Sequence, residues 1–320
     1  MHFAEIKPSI EIRRRNSLYF IIIFNGKAGN IMSIRTDLAL ESAQQVSLQT
    51  QLEGVSQLRR SYKNIKLEVT EITVESEKAA HLLKKPEGRY ITVESADGHF
   101  SSYSDFFDGR VKCIADEIKR LCNIPERVLV VGLGNRAITP DSLGPSVAEK
   151  IFATRHIKRL AKDLDTSELS DVAVLTTGVM AQTGVESSAA VKAICNEILP
   201  QLVIVIDALA CSDLSHLGTT VQLCNTGISP GSGVENARKE LSEETLGIPC
   251  VAVGVPTVTD MTTIAHTASI NPLPEEFQGM IVTPKTIDNL IIRTSAMIAA
   301  AINKVLHPTL TFEEIQSLIM

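Results

Sequence analysis

The sequence predicts an α/β protein with an open, mainly parallel sheet and helices on both faces, preceded by an N-terminal extension or subdomain. The first observation is that apolar, strand-like runs alternate with helical segments from residue 128 onwards. Such alternation is typical of a parallel sheet with crossover helices. The second is size, because 320 residues with 44% hydrophobic content can bury one large core or two unequal ones.

The chain before residue 125 is predicted to contribute two strands and two helices. Alternating apolar residues predict strands at 67–74 and 90–93, and the KKPEG sequence at 84–88 is typical of a turn. Polar residues leading into an apolar face predict an amphipathic helix within 33–51. Apolar residues at helical spacing predict a second helix over 105–122.

The chain after residue 125 is predicted to form the core of the sheet. Strands are predicted at residues 128–131, 171–175, 202–206, 219–223 and 251–255. Helices are predicted at residues 146–161, 184–199, 257–264 and 284–301, the last with a proline at its start.

Composition narrows the classes of function. The formal net charge is -6, no basic stripe is interleaved with aromatics, and aromatics make up 4% of the chain with no tryptophan. These features disfavour a nucleic-acid-binding surface. None of the six cysteines forms a C-x-x-C pair, which favours buried reduced thiols in a cytosolic protein over a structural zinc site.

The N-terminus resembles a signal peptide only superficially. Basic residues at 13–15 precede an apolar run at 18–24, but that run is far shorter than the ~20 residues of a spanning helix. Asn25 interrupts it, and no A-x-A cleavage site follows. We therefore expect no export, and we take translation from Met32 as the alternative to Met1, with residues 1–31 an over-extended start.

Two acidic residues follow apolar strand-like runs and form the candidate site. Asp141 lies in a turn between Pro140 and Gly144, after the strand that breaks at Gly132, and Asp207 directly follows the run at 202–206. Open α/β sheets place their chemistry at the carboxyl ends of their strands, so the two carboxylates are expected to meet there. Of two carboxylates sharing a site, one is held protonated as an acid while the other activates water.

Four other patterns in the sequence could also indicate a site or a structural role. The GLGNRA sequence at 132–137 satisfies a dinucleotide fingerprint but does not open directly into a helix, so nucleotide binding is disfavoured. The glycine-rich stretch 230–239 is either an anion-binding nest or a capped turn. Asp260 is either a third carboxylate of the cleft or a helix N-cap. Taken singly, Asp141 would be interpreted as a helix cap and Asp207 as a residue that hydrogen-bonds a loop. The spacing of the histidines predicts no site.

Several separated blocks, in one order, resemble the germination protease family, endopeptidases of spore-forming bacteria. The resemblance runs from about residue 33 to residue 308. Its motifs are GLGN…TPDSLGP at 132–145, TRH at 154–156, GVM…TGVE at 178–186, VIDALA at 205–210, TGISPGSGV at 226–234, ETLGIP…VGVPTV at 244–258 and VTPK.ID at 282–288.

This resemblance implies an atypical aspartic endopeptidase with Asp141 and Asp207 as its catalytic pair and no cofactor. It also implies a zymogen that cleaves itself near Asp37 and Leu38, substrates that are small acid-soluble spore proteins, a spore-core cytoplasmic location and a homotetramer.

The fold is expected to resemble that of the hydrogenase-maturation endopeptidases, which bind nickel. The third nickel ligand of such a site would be a histidine, for which His216 and His266 are the candidates here, and no metal is expected. The residues expected to line the substrate cleft are Gly178, Met180, Thr183, Glu186, Gly231, Ser232, Gly233, Pro256 and Thr257.

The family resemblance also sets the expected domain limits. Residues 1–37 are predicted to be an extension and propeptide, residues 38–308 a single peptidase domain (38–125 its N-terminal part, 126–308 its core) and residues 309–320 a C-terminal tail helix. The chain departs from the family at Arg136, Ala137 and Glu235, at Thr176 and Thr177, and at residues 212–217, where an arginine is usual. An inactive or repurposed spore paralogue that binds the same partners, and a nickel-binding maturation-type endopeptidase, therefore stay open as alternatives.

Overall fold

The sheet of this protein has nine strands among the described residues, with helices against both of its faces. The computed structural model describes residues 36–47, 53–100, 109–160, 165–229, 239–270, 272–277 and 279–319. The strands are β1 (Val55–Tyr62), β2 (Leu67–Val74), β3 (Gly88–Ser95), β4 (Arg127–Gly132), β5 (Asp171–Thr176), β6 (Leu202–Cys211), β7 (Thr220–Cys224), β8 (Cys250–Asp260) and β9 (Ile281–Val282). The helices are α1 (Ala39–Ser47), α2 (Glu77–Leu83), α3 (Gly109–Leu121), α4 (Leu143–Ala148), α5 (Arg155–Leu160), α6 (Met180–Thr183), α7 (Ser187–Ile198), α8 (Glu243–Leu246), α9 (Met261–Thr267), α10 (Ile287–Leu306) and α11 (Phe312–Ile319).

The strand order separates a parallel core from an antiparallel extension. The order is β1-β2-β3-β7-β8-β6-β4-β5, with β9 paired to β8. Strands β8, β6, β4 and β5 are parallel to one another, whereas the ladder from β1 through β3 and β7 to β8 is antiparallel. The predicted α/β class and its parallel core are confirmed. The N-terminal strands join the same sheet, which makes it mixed.

The two faces of the sheet are covered by different helices. Side chains of α3, α4 and α10 pack on one face, with Ile118, Val147 and Ile298 fully or almost fully buried. Helix α7 packs on the opposite face through Val191 and Cys195, and α1 and α2 extend that layer over β2 and β3. Among the described residues α10 alone is long and apolar enough to cross a membrane, but 72% of that apolar window is buried inside the protein. We therefore describe α10 as a core helix.

The predicted helix over 146–161 is wrong, because the chain forms two short helices, α4 and α5, with a break between them. Asn303 of α10 causes much of this break. Its side chain accepts a hydrogen bond from the Phe152 amide (2.9 Å) and donates one to the Lys150 carbonyl (2.9 Å). The Thr154 amide bonds to Val172 of β5 instead of continuing a helix. Backbone groups that a helix would satisfy internally are thus satisfied by distant elements.

The predicted helix over 257–264 is also displaced, because β8 continues to Asp260 and α9 starts at Met261. Asp260 caps α9, with its side chain accepting from the Thr262 amide at 2.6 Å. Of the two roles considered for Asp260, the structure shows the helix N-cap.

The six cysteines are free thiols, five of them buried and Cys122 partly buried. Burial raises the pKa of Cys122 to about 11 and that of Cys113 to about 12. Thiols with raised pKa values are poor nucleophiles at neutral pH, as predicted for buried reduced cysteines.

Candidate active site

The turn that carries Asp141 begins where β4 ends. After Gly132 the chain passes through Asn135 into a short 3₁₀-helix over Thr139–Asp141, which leads into α4. The Asn135 amide donates a hydrogen bond to Asp141 Oδ2 at 2.8 Å. Gly134 has a φ of 115°, and a Cβ there would lie 2.0 Å from the Asp141 carbonyl oxygen. The turn can hold Asp141 in this position only with a glycine at 134.

Asp207 lies within β6, not just past the end of a strand as the sequence predicts. The strand continues to Cys211 because residues 207–211 keep pairing with β8. Asp207 is 5% exposed, and its Oδ1 accepts a hydrogen bond from the Ala208 amide at 2.9 Å. Its partner across the sheet is Gly254 of β8.

The Asp141 turn packs directly onto the strand that holds Asp207. A Cβ at Gly144 would lie 2.2 Å from the Leu133 carbonyl oxygen and 2.6 Å from that of Ile206, the residue before Asp207. On the other side, the Thr257 hydroxyl of β8 donates to the Pro140 carbonyl at 2.8 Å. The turn is therefore fixed over the carboxyl end of β4, beside Ile206 of β6 and against β8, next to the segment that contains Asp207.

Replacing Gly144 with alanine is expected to lower the free energy of unfolding by about 1–3 kcal/mol. The added methyl group would meet backbone atoms of Leu133, just after β4, and of Ile206 in β6, which cannot move aside as a flexible side chain can. Urea denaturation of the purified variant measures the loss. Ser146→Ala, in the same helix, is the control and should change stability little; equal losses in both variants would contradict the close approach at Gly144.

The loop after β5 lies beside the Asp141 turn. The Gln182 side chain donates to Asn135 Oδ1 at 2.8 Å, which connects this loop to the residue whose amide holds Asp141. Four predicted cleft residues lie on it: Gly178, Met180, Thr183 and Glu186. Met180 is 50% exposed and Thr183 is exposed, whereas Gly178 and Glu186 are partly buried.

Of the other predicted cleft residues, Pro256 and Thr257 are buried in β8. Thr257 contacts the Asp141 turn through its hydroxyl, and the Pro256 carbonyl accepts from the Gly218 amide at 2.8 Å. Gly231, Ser232 and Gly233, with the predicted anion nest, lie outside the described residues.

The segment that contains Asp37 and Leu38 is bound to β6 beyond Asp207. The Asp37 amide donates to the Ala210 carbonyl (3.0 Å), and Asp37 Oδ2 accepts from the Ala210 amide (2.8 Å). Leu38 is 0% exposed and packs against Leu209, Cys211 and Leu217. The predicted cleavage position is therefore held against the same strand as Asp207.

Two side chains that the sequence did not suggest hold the carbonyl oxygen of Asp37. Lys85 Nζ donates to it at 2.8 Å and Gln222 Nε2 at 2.9 Å. Gln222 Oε1 also accepts from the Ala39 amide at 2.8 Å, so this side chain binds on both sides of the bond between Asp37 and Leu38. Lys85 as a whole residue is only partly buried, but desolvation of its ammonium lowers its pKa, against the attraction of Asp37.

A second unpredicted contact fixes α1 to the loop that follows β6. Glu41 accepts hydrogen bonds from the Ser212 amide (2.6 Å) and the Asp213 amide (3.1 Å), and its Oε1 lies 2.6 Å from His216 Nδ1. His216 Nε2 lies 3.3 Å from Glu94 Oε1. Burial disfavours the charged ring, but the hydrogen bonds to Glu41 and Glu94 outweigh it and raise the pKa of His216 to about 10.

These contacts bear on the histidines considered as nickel ligands. Both ring nitrogens of His216 face carboxylates, and His266 is exposed on α9. Within the described part of the chain, His, Cys, Asp and Glu side chains form no group of three suited to a metal ion.

Known proteins resemble this chain over most of its length. It is 37% identical over 324 residues to the germination protease of Caldanaerobacter subterraneus subsp. tengcongensis, covering 90% of this chain and 99% of the relative. It is 35% identical over 321 residues to the germination protease of Clostridium perfringens, covering 88% and 98%. It is 42% identical over 246 residues to the germination protease of Bacillus velezensis, covering 74% and 66%.

A solved [NiFe] hydrogenase maturation protease, HycI from Thermococcus kodakarensis, aligns with 58% of this chain and 97% of its own. The identity is 18% and the TM-score 0.33, which is too slight a likeness to bear on chemistry.

The relatives define the class of this α/β protein as a peptidase. The germination protease family matches residues 34–271. The chain belongs to that family.

Proposed function

We propose that this chain is an aspartic-type endopeptidase in which Asp141 and Asp207 share the catalytic water. The observation that carries the proposal is the packing of the Asp141 turn against Ile206 and Thr257, beside Asp207. One carboxylate takes a proton from water as the water attacks a peptide carbonyl. The other, protonated, supplies the proton that the leaving amine needs.

The same proposal includes synthesis as a zymogen that cleaves itself between Asp37 and Leu38. The segment around this bond supports it, because Asp37 is bound to Ala210 of β6, three residues after Asp207. Strands rise about 3.3 Å per residue, so this spacing corresponds to roughly 10 Å along the strand. A segment held there occupies space that an extended substrate would otherwise use.

The substrates we propose are small acid-soluble spore proteins, cut in the cytoplasm of the germinating spore by a homotetramer. Membership of the germination protease family supports these substrates. The acidic net charge of -6 does not suit direct binding to DNA, so the proposal includes no nucleic-acid partner. Residues of the loop after β5 and of β8 would line the cleft, namely Gly178, Met180, Thr183, Glu186, Pro256 and Thr257. Gly231, Ser232 and Gly233 would complete it.

The experiment is incubation of the purified full chain with a purified small acid-soluble spore protein, followed by mass spectrometry of both. The wild type should cut the substrate and release its own residues 1–37, and a metal chelator should not change either rate. A double variant, Asp141→Asn with Asp207→Asn, should do neither. Substrate binding without cutting by the wild type would favour a non-catalytic paralogue, and loss of cutting with the chelator would favour a metal-dependent peptidase.

A further inference from the structure

We propose that Lys85 and Gln222 are catalytic residues of self-cleavage, forming the pair of donors that stabilises the negative charge on the Asp37 carbonyl oxygen. This inference rests on the proposed cleavage between Asp37 and Leu38. Its basis is that both donors already contact the oxygen at which that charge would develop, at 2.8 and 2.9 Å. These distances suit donors to an oxyanion, which are typically 2.7–3.1 Å from it.

The register of the sheet places the donor Gln222 two strands away from Asp207, in the same row of residues. Gly254 of β8 is paired with Asp207 of β6 on one side and with Gln222 of β7 on the other. Neighbouring strands lie about 4.8 Å apart, so the Cα atoms of Asp207 and Gln222 are separated by roughly 10 Å across the sheet. Gly254 contributes no side chain between them.

Asp207, Leu38 and the donor side chains share one face of the sheet. Residues two apart on a strand point to the same face, so Asp207 points to the face of Leu209. Leu38 packs against Leu209, and the Asp37 carbonyl and Ala39 amide on either side of it bind Gln222. The bond to be cut therefore lies on the same face of the sheet as Asp207.

The chemical step balances with the groups present. Water adds to the Asp37 carbonyl carbon, one of its protons goes to the ionised carboxylate, and the carbonyl π pair moves onto oxygen facing Lys85 and Gln222. The carbon–nitrogen bond then breaks, the pair on oxygen re-forms the carbonyl, and the Leu38 nitrogen takes a proton from the acidic partner. The products are a new Asp37 carboxyl group and a free Leu38 amine.

The donors would accelerate the step because their bonds strengthen as charge develops. A hydrogen bond between an ammonium and a charged oxygen is roughly twice as strong as one between neutral groups. Only this increase between ground state and transition state raises the rate, since equal binding of both would not. Low exposure of Gln222 and desolvation of the Lys85 ammonium add to the effect by reducing competition from water.

The test measures release of residues 1–37 from full chain made in a cell-free reaction, so that the starting material is uncut. Lys85→Met removes one donor and keeps the apolar stem. Gln222→Glu retains an oxygen that accepts from the Ala39 amide, but it replaces the amide group that donates to the Asp37 carbonyl oxygen with a second carboxylate oxygen. Each is expected to slow release about 100-fold. Lys78→Met is the matched control, because Lys78 is exposed on α2 and pairs with the exposed Glu53, and this variant should cleave at the wild-type rate.

Hydrogen exchange of the Ala39 amide separates catalysis from simple anchoring of the segment. Slow cleavage with Ala39 still protected supports the proposal. If cleavage is slow and the Ala39 amide loses its protection from exchange in both variants, Lys85 and Gln222 only hold the segment in place, and the proposal is overturned. Cleavage near the wild-type rate in both variants would also overturn it. If the wild type cuts added substrate protein but never itself, the zymogen proposal fails and this inference with it, while the peptidase proposal stands.

Discussion

Asparagine in place of Asp207 is expected to lower the rate of substrate cleavage by about 10²–10⁴-fold. The amide has nearly the shape of the carboxyl group and can still accept the hydrogen bond from the Ala208 amide. It cannot take a proton from water or return one to the leaving amine. The initial rate of cleavage of a small acid-soluble spore protein, followed by gel or mass spectrometry, measures the loss.

Asparagine in place of Asp141 should produce a loss of similar size. The bond from the Asn135 amide can be retained by the asparagine oxygen, so the turn should remain in place. Removing either member of a pair that acts as a unit costs nearly as much as removing both. We therefore expect the double variant to be little slower than either single one.

Asp260→Asn is the matched control for both substitutions. Asp260 also lies at the end of a core strand, but its side chain caps α9, and asparagine caps helices as well as aspartate does. This variant should keep its activity. Full activity in either Asp141→Asn or Asp207→Asn, or an equal loss in all three variants, would contradict the catalytic pair.

The parallel core could be predicted from sequence because its signals are local. β4 and β6 are continuous apolar runs, and each predicted strand there was recovered with its ends moved by a few residues. The break between α4 and α5 could not be predicted in this way. It depends on Asn303, which is about 150 positions away in the chain and reaches the break only after α10 has packed.

The aspartates stood out in the sequence, whereas the groups around them did not. Asp207 interrupts an apolar run and Asp141 lies in the turn that follows another, which are visible signals. Lys85 lies in a sequence typical of an exposed turn, and nothing local indicates that its ammonium turns inward. Gln222 gave a weak signal that could have been used: it is a polar residue between Val221 and Leu223 in a strand that is buried throughout. Such a residue needs partners, and here they are backbone groups of the N-terminal segment.

The second large effect is expected at His216, the buried link between α1 and the loop after β6. Glutamine in its place should lower the free energy of unfolding by about 3–5 kcal/mol at pH 6, since Glu41 loses its buried cationic partner. The pKa of His216 is about 10 in the folded protein and near 6.5 when unfolded. The folded state therefore binds the extra proton between these values, so this stabilisation is complete below about pH 6.5 and is lost as the pH rises towards 10.

Urea denaturation of the wild type and of His216→Gln at intervals from pH 6 to pH 10 tests both the size of the stability loss and the direction in which it changes with pH. The gap between the two proteins should be widest at pH 6 and should close as the pH approaches 10. His81→Gln, at an exposed position on α2, should follow the wild type throughout. A gap that stays constant with pH would mean that His216 stabilises this junction by packing alone, and a gap that widens would mean that the ring is neutral when folded.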